Sequence, residues 1–89
     1  MVLATNSREI IRITGNDARD FLQGLVTNDV NKIDQGLVYT ALLTPQGKFL
    51  FDFFLFADGP DVMLDVAADQ SQPLLKRLGM YRLRADVDF

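Results

Sequence analysis

Eighty-nine residues, 48% of them hydrophobic, suffice for one small domain with a single modest core, so residues 1–89 are expected to form one domain. Cysteine and histidine are both absent, which excludes disulfides, thiolate metal sites, Ser-His-Asp and Cys-His nucleophilic centres and the usual zinc ligand sets. A net charge of −3, an N-terminus with no basic region ahead of an apolar run, and no apolar stretch near the roughly 18 to 20 residues of a span argue against nucleic acid, a signal peptide and a membrane segment.

Residues 9–13 are β-branched and bounded by Thr14-Gly15-Asn16, which predicts a strand running into a turn. A helix follows, capped by Asn16 or Asp17, with Ala18, Phe21, Leu22 and Leu25 recurring as the stripe of an amphipathic helix. Gly24 marks either its end or a close approach to the sheet. Gln23, Asn28 and Asp29 form a polar cluster beyond it, suited to capping and turn roles. Residues 37–44 and 48–56 read as two strands of a hairpin turned by Pro45-Gln46-Gly47, and Asp58-Gly59-Pro60-Asp61 turns the chain into a strand over 62–66. Ser71-Gln72-Pro73 opens a second helix with Leu74, Leu75 and Leu78 as its buried stripe and Gly79 as its end. The basic residues Lys76, Arg77, Arg82 and Arg84 read as a solvated helix end. A last strand over 84–89 alternates Ala85, Val87 and Phe89 with Arg84, Asp86 and Asp88, so one of its faces is wet or it is an edge.

The strand over 48–56 is the organising element. Side chains alternate along a strand, so Phe49, Phe51, Phe53 and Leu55 face one way while Leu50, Asp52, Phe54 and Phe56 face the other. Both faces are apolar, which predicts a central strand covered twice, with Asp52 as a carboxylate buried among Leu and Phe. Such a group needs a donor: a partner such as Lys48 or Arg12 or a backbone amide in a structural role, or a polar ligand in a functional one. Lys48 shares its face but lies about 13 Å along the strand, so local pairing is not assured. The element order β-α-β-β-β-α-β predicts an α+β fold, a mostly antiparallel sheet with two helices on one face. Two helices cover one face, so the second is expected to meet a ligand, a partner or the rest of a longer chain. Phe89 lies within a predicted strand, which fits a fragment of a longer protein.

Three stretches together carry a resemblance. Ile13-Thr14-Gly15-Asn16-Asp17-Ala18-Arg19-Asp20-Phe21-Leu22-Gln23-Gly24-Leu25-Val26-Thr27-Asn28-Asp29-Val30, Tyr39-Thr40-Ala41-Leu42-Leu43-Thr44-Pro45-Gln46-Gly47-Lys48 and Tyr81-Arg82-Leu83-Arg84-Ala85 are similar to the N-terminal part of the YgfZ group of folate-binding proteins, relatives of the glycine-cleavage T-protein GcvT, an aminomethyltransferase. The resemblance implies the N-terminal part of the aminomethyltransferase folate-binding fold and tetrahydrofolate as cofactor. It further implies a role in iron–sulfur cluster assembly or repair, with iron–sulfur proteins or assembly factors as partners. A cytoplasmic location is expected, as in the bacterial members. By the same resemblance Asp52 matches the aspartate at the reactive end of the folate, and Tyr39, Leu64 and Val66 fall at pocket-lining positions. Lys48 and Phe51 stand where the transferase carries a second glycine and a first aspartate, which favours a non-catalytic assembly factor over an aminomethyltransferase. The group's cysteine-bearing segment, Lys-Gly-Cys-Tyr-x-Gly-Gln-Glu, is absent from this chain. A ligand-free interaction domain is the remaining alternative, using the open sheet face for a partner.

Overall fold

A strand greasy on both faces belongs in the interior of a sheet, and in the computed structural model, which describes residues 7–89, that is its place. The chain runs through β1 (Arg8–Ile13), α1 (Ala18–Gln23), a 3₁₀ helix (Val30–Asp34), β2 (Val38–Leu43), β3 (Phe49–Asp58), β4 (Asp61–Ala67), a short 3₁₀ turn (Ala68–Gln70) and α2 (Ser71–Tyr81). All strand pairs are antiparallel, in the order β1-β4-β3-β2, so β3 and β4 are interior. The fold is α+β, as its element pattern predicts.

Register fixes which side chains meet. Ile11 pairs with Leu64, Leu64 with Leu55 and Leu55 with Val38, so one apolar row crosses all four strands. All four residues are buried, together with Ile13, Val62, Val66, Phe53 and Leu42 from the same face. Ala18 and Leu22 from α1, Leu74 and Leu78 from α2, and Val30 and Ile33 from the 3₁₀ helix close over this face, so both helices lie on one side. Phe21, Leu25 and Phe51 pack around the edge of that core. The opposite face carries Ile10, Tyr39, Phe54, Phe56 and Met63, and no helix among the described residues covers it.

Several expectations are corrected. Gly79 does not end α2, which continues to Tyr81 because the packing of Leu74, Leu75 and Leu78 outweighs a glycine penalty of about 1 kcal/mol. The segment over 84–89 is not a strand. Its alternation is real, since Val87 is buried and Ala85 and Phe89 pack on the core, yet it pairs only through an isolated bridge between Thr14 and Asp88. The cause is upstream: the Asp17 backbone N–H donates to the Asp86 carbonyl at 3.0 Å, and the Asp17 carboxylate accepts from the Asp86 N–H at 2.7 Å. Asp17 therefore ties down the C-terminal segment, and its side chain makes no capping bond to α1. Gly24 is the C-cap of α1 and does not touch the sheet, its nearest neighbours being backbone atoms of α1. The 3₁₀ helix, capped by the Asp29 carboxylate accepting from the Asn31 N–H at 3.0 Å, lies between the polar cluster and the second predicted strand, where the sequence predicted no element.

Candidate functional site

Tyr39 lies on edge strand β2 and Asp52 on interior strand β3, both with side chains on the open face. They are not direct cross-strand partners: Tyr39 pairs with Phe54 and Asp52 with Ala41. Diagonal neighbours on one face lie within reach of a long side chain. The Tyr39 hydroxyl spans that diagonal and donates to Asp52 Oδ2 at 2.5 Å. Among the described residues this phenol is the carboxylate's one hydrogen-bond partner. The bond to Asp52 pushes the Tyr39 hydroxyl above its ordinary pKa, and partial desolvation and the carboxylate's charge act in the same direction.

The surroundings follow from register. Ile10, Asp65, Phe54 and Tyr39 form one row across the open face. The Tyr39 and Phe54 rings lie 5.2 Å apart at 51°, a tilted aromatic pair. On the other side of Phe54 the Arg8 guanidinium stands 5.8 Å from the ring centroid. It is held there by Nε donating to Asp65 Oδ1 at 2.8 Å and Nη2 donating to the Asp65 carbonyl at 3.0 Å. In the neighbouring row Ala41 faces Asp52 and Arg8 faces Ala67. The carboxylate thus stands beside Ala41, with Phe54 and Tyr39 as the wall next to it.

This arrangement can accept hydrogen bonds from N–H groups while an aromatic surface packs against a flat ring. Tyr39 donates, Asp52 accepts, and the small Ala41 side chain leaves room above the backbone. Among the described residues no group of three or more Asp, Glu, His or Cys side chains could hold a metal ion, and no helix is long and apolar enough to cross a membrane.

Of the four residues singled out from sequence, the structure brings together Asp52 and Tyr39 and separates Leu64 and Val66 from them. Leu64 and Val66 have 0% exposure and face the helices. Alternation along β4 gives the open face to Met63 and Asp65 instead. Asp52 itself is exposed, not buried, because the second face of the sheet lies open. Lys48 sits in the hairpin turn and is not its partner. Sequence reasoning missed Arg8 and Asp65, whose one signal is opposite charge, Arg8 just before the predicted strand over 9–13 and Asp65 within that over 62–66. It named Asp52 and Tyr39 separately but not their bond, since diagonal contact requires the register.

The chain matches no family model. It is 34% identical over 89 residues to an iron–sulfur cluster assembly factor IBA57 homologue of Pyricularia oryzae, covering 96% of this chain and 23% of that protein. The IBA57 homologue of Neurospora crassa is 36% identical over 87 residues, covering 89% of this chain and 20% of that protein. The corresponding Aspergillus oryzae protein is 37% identical over 97 aligned positions, covering 91% and 22%. The chain thus spans between a fifth and a quarter of the length of the curated relatives it matches. All three relatives are named mitochondrial, which overturns the expectation of a cytoplasmic protein. Along nearly its whole length the chain is homologous to a stretch of the IBA57 iron–sulfur cluster assembly factors, within the YgfZ/GcvT folate-binding family.

Proposed function

We propose that this chain is a tetrahydrofolate-binding domain that acts in iron–sulfur cluster assembly, with Asp52 and Tyr39 facing the ligand. The observation that carries the reading is the Tyr39–Asp52 pair beside Phe54 on the uncovered sheet face. The donor set suits the ligand: tetrahydrofolate presents N–H groups on a reduced pterin, and Asp52 offers an acceptor beside an aromatic wall. Tyr39 holds one carboxylate oxygen, which orients the other toward a bound ring. Leu64 and Val66 support the sheet from below and do not touch the ligand. The assembly role rests on the relatives' names, and the iron–sulfur protein or assembly factor that the domain meets belongs to the same proposal. Those names favour an assembly factor over an aminomethyltransferase.

Isothermal titration with tetrahydrofolate tests the reading. Binding is expected in the parent chain, and Asp52→Asn should weaken it by about 1.5 to 3 kcal/mol, the worth of a hydrogen bond to a charged group. Because Asp52 is exposed, the same substitution should move the unfolding free energy by no more than about 0.5 kcal/mol. Heat that stays flat at millimolar ligand leaves a ligand-free interaction domain. An Asp52→Asn chain that binds as well as its parent removes the carboxylate from the site.

A further inference from the structure

Tyr39 sits on an edge strand, where only β3 pairs with it on one side, yet its hydroxyl must be aimed closely to reach Asp52. The outer edge of β2 is not bare. The Thr27 N–H donates to the Ala41 carbonyl at 3.0 Å, and the Ala41 N–H donates to Thr27 Oγ1 at 3.2 Å. One residue on, the Asn28 amide Nδ2 donates to the Tyr39 carbonyl at 3.0 Å, and the Asn28 backbone N–H donates to Thr40 Oγ1 at 3.0 Å. Thr27 and Asn28 thus stand in for a fifth strand and satisfy the edge groups that flank the aromatic residue.

Asn28 is the centre of this clamp because its own polar groups are taken up. Its carbonyl accepts from Gln23 Nε2 at 2.9 Å, and its Oδ1 accepts from the Asp29 N–H at 2.8 Å. Gln23 is fixed in turn, since its Oε1 accepts from the Val30 N–H at 2.8 Å. The clamp reaches from the end of α1 to two consecutive residues of β2 whose side chains lie on opposite faces. Thr40 is buried in the helix-side core, and Tyr39 stands on the open face. Gripping both restricts rolling of the edge strand about its own axis. Rolling is the movement that would carry the phenol away from Asp52, because the hydroxyl at the far end of the ring travels further than the backbone that bears it.

We propose that Asn28 is a positioning residue: by donating to the Tyr39 carbonyl and holding Thr40, it sets the angle of β2 at which the Tyr39 hydroxyl meets Asp52. The role rests on the reading of Tyr39 and Asp52 as the ligand-facing pair, and it gives the polar cluster after α1 a task beyond turn formation. An amide is required. Asn28 must donate to Tyr39 and accept from Asp29 with the two ends of one side chain, and an ionised carboxylate has no donor to offer.

The experiment is carbon-13 NMR of labelled tyrosine in the free 89-residue chain at neutral pH. Tyr39 and Tyr81 are the chain's two tyrosines, so a Tyr81→Phe background leaves one signal. Asp52→Asn calibrates how far the carbon bearing the hydroxyl shifts when its partner loses its charge. Asn28→Asp is expected to reproduce most of that displacement. Asp29→Ala removes the cap of the neighbouring 3₁₀ helix without touching β2, and is expected to leave the signal in place. An Asn28→Asp signal at the parent position overturns the proposal. So does an equal displacement by Asp29→Ala, which would mean that any loosening of the loop suffices. Should Asn28→Asp fail to fold, Asn28→Ser, too short to reach the Tyr39 carbonyl, is read in the same way. Titration of the parent chain with tetrahydrofolate runs separately: flat heat there removes the ligand reading and leaves the Tyr39 result standing.

Discussion

The backbone of Asp86 crosses Gly15 so closely that a Cβ at Gly15 would lie 2.1 Å from the Asp86 carbonyl oxygen. Gly15 also has φ +111°, a conformation that disfavours any side chain. Both requirements meet at the point where the turn after β1 receives the C-terminal segment. Gly15→Ala must therefore displace that segment or distort the turn, and is expected to cost about 2 to 4 kcal/mol in denaturant melts. A loss below about 0.5 kcal/mol would show that the segment over 84–89 contributes little to stability.

Phe53 and Phe54 are adjacent and face opposite ways. Phe53, 1% exposed, fills the helix-side core, so Phe53→Ala is expected to cost about 3 to 5 kcal/mol. Phe54 packs between Tyr39 and Arg8 on the uncovered face, and Phe54→Ala should cost markedly less while weakening the proposed tetrahydrofolate binding. Chemical denaturation and calorimetry of the two variants check the pair. Equal stability losses would mean that the second face is as well packed as the first.

That alternation was legible because a strand has a period of two and β3 carries a large side chain at nearly every position. The burial state of Asp52 was not. Doubly apolar patterning predicts cover on both sides, but patterning cannot say whether the second cover belongs to the same chain. The placement of Leu64 and Val66 failed for a different reason: Val62, Leu64 and Val66 alternate with Asp61, Met63 and Asp65, the pattern of a strand with one buried face, and only the family resemblance had set Leu64 and Val66 in a pocket. The segment over 84–89 has a strand's alternation without a strand's pairing, because long-range bonds to Asp17 hold its backbone elsewhere. The Asn28 clamp was visible as a polar cluster near turn residues, yet its link to Tyr39 needs the return of the chain from the 3₁₀ helix to β2.

Arg19 and Asp34 join α1 to the end of the 3₁₀ helix through two bonds, Nη2 to Oδ1 at 2.7 Å and Nη1 to Oδ2 at 2.9 Å. The Arg19 hydrogen bond holds the Asp34 carboxyl below its ordinary pKa, with a smaller coulombic contribution in the same direction. A carboxylate whose pKa falls on folding stabilises the fold above its unfolded value and loses that contribution as pH drops through the folded one. The Tm deficit of Asp34→Asn should therefore be present at neutral pH, narrow through the acid carboxylate range and vanish below it. Because the pair is exposed, the deficit should also shrink with added salt. A deficit independent of pH would assign Asp34 a role other than the ion pair.

The uncovered face gives the last expectation. Tyr39, 54% exposed, adjoins half-buried Phe54, Phe56 and Met63, so the face presents an apolar patch rather than scattered side chains, with Ile10, 49% exposed, set apart from it by the Arg8–Asp65 pair. Surfaces of this kind associate when concentration allows, so the chain should show concentration-dependent self-association in sedimentation velocity. Phe56→Asp places a charge in the middle of that face and should abolish the association. Met80 is the control, since it is a large apolar residue 62% exposed on α2, on the helix side of the sheet. Met80→Asp should leave association intact if the sheet face is responsible. A chain that stays monomeric at high concentration, or that responds equally to both substitutions, would show that the ion pairs Arg8–Asp65 and Arg12–Asp61 keep the face solvated on their own.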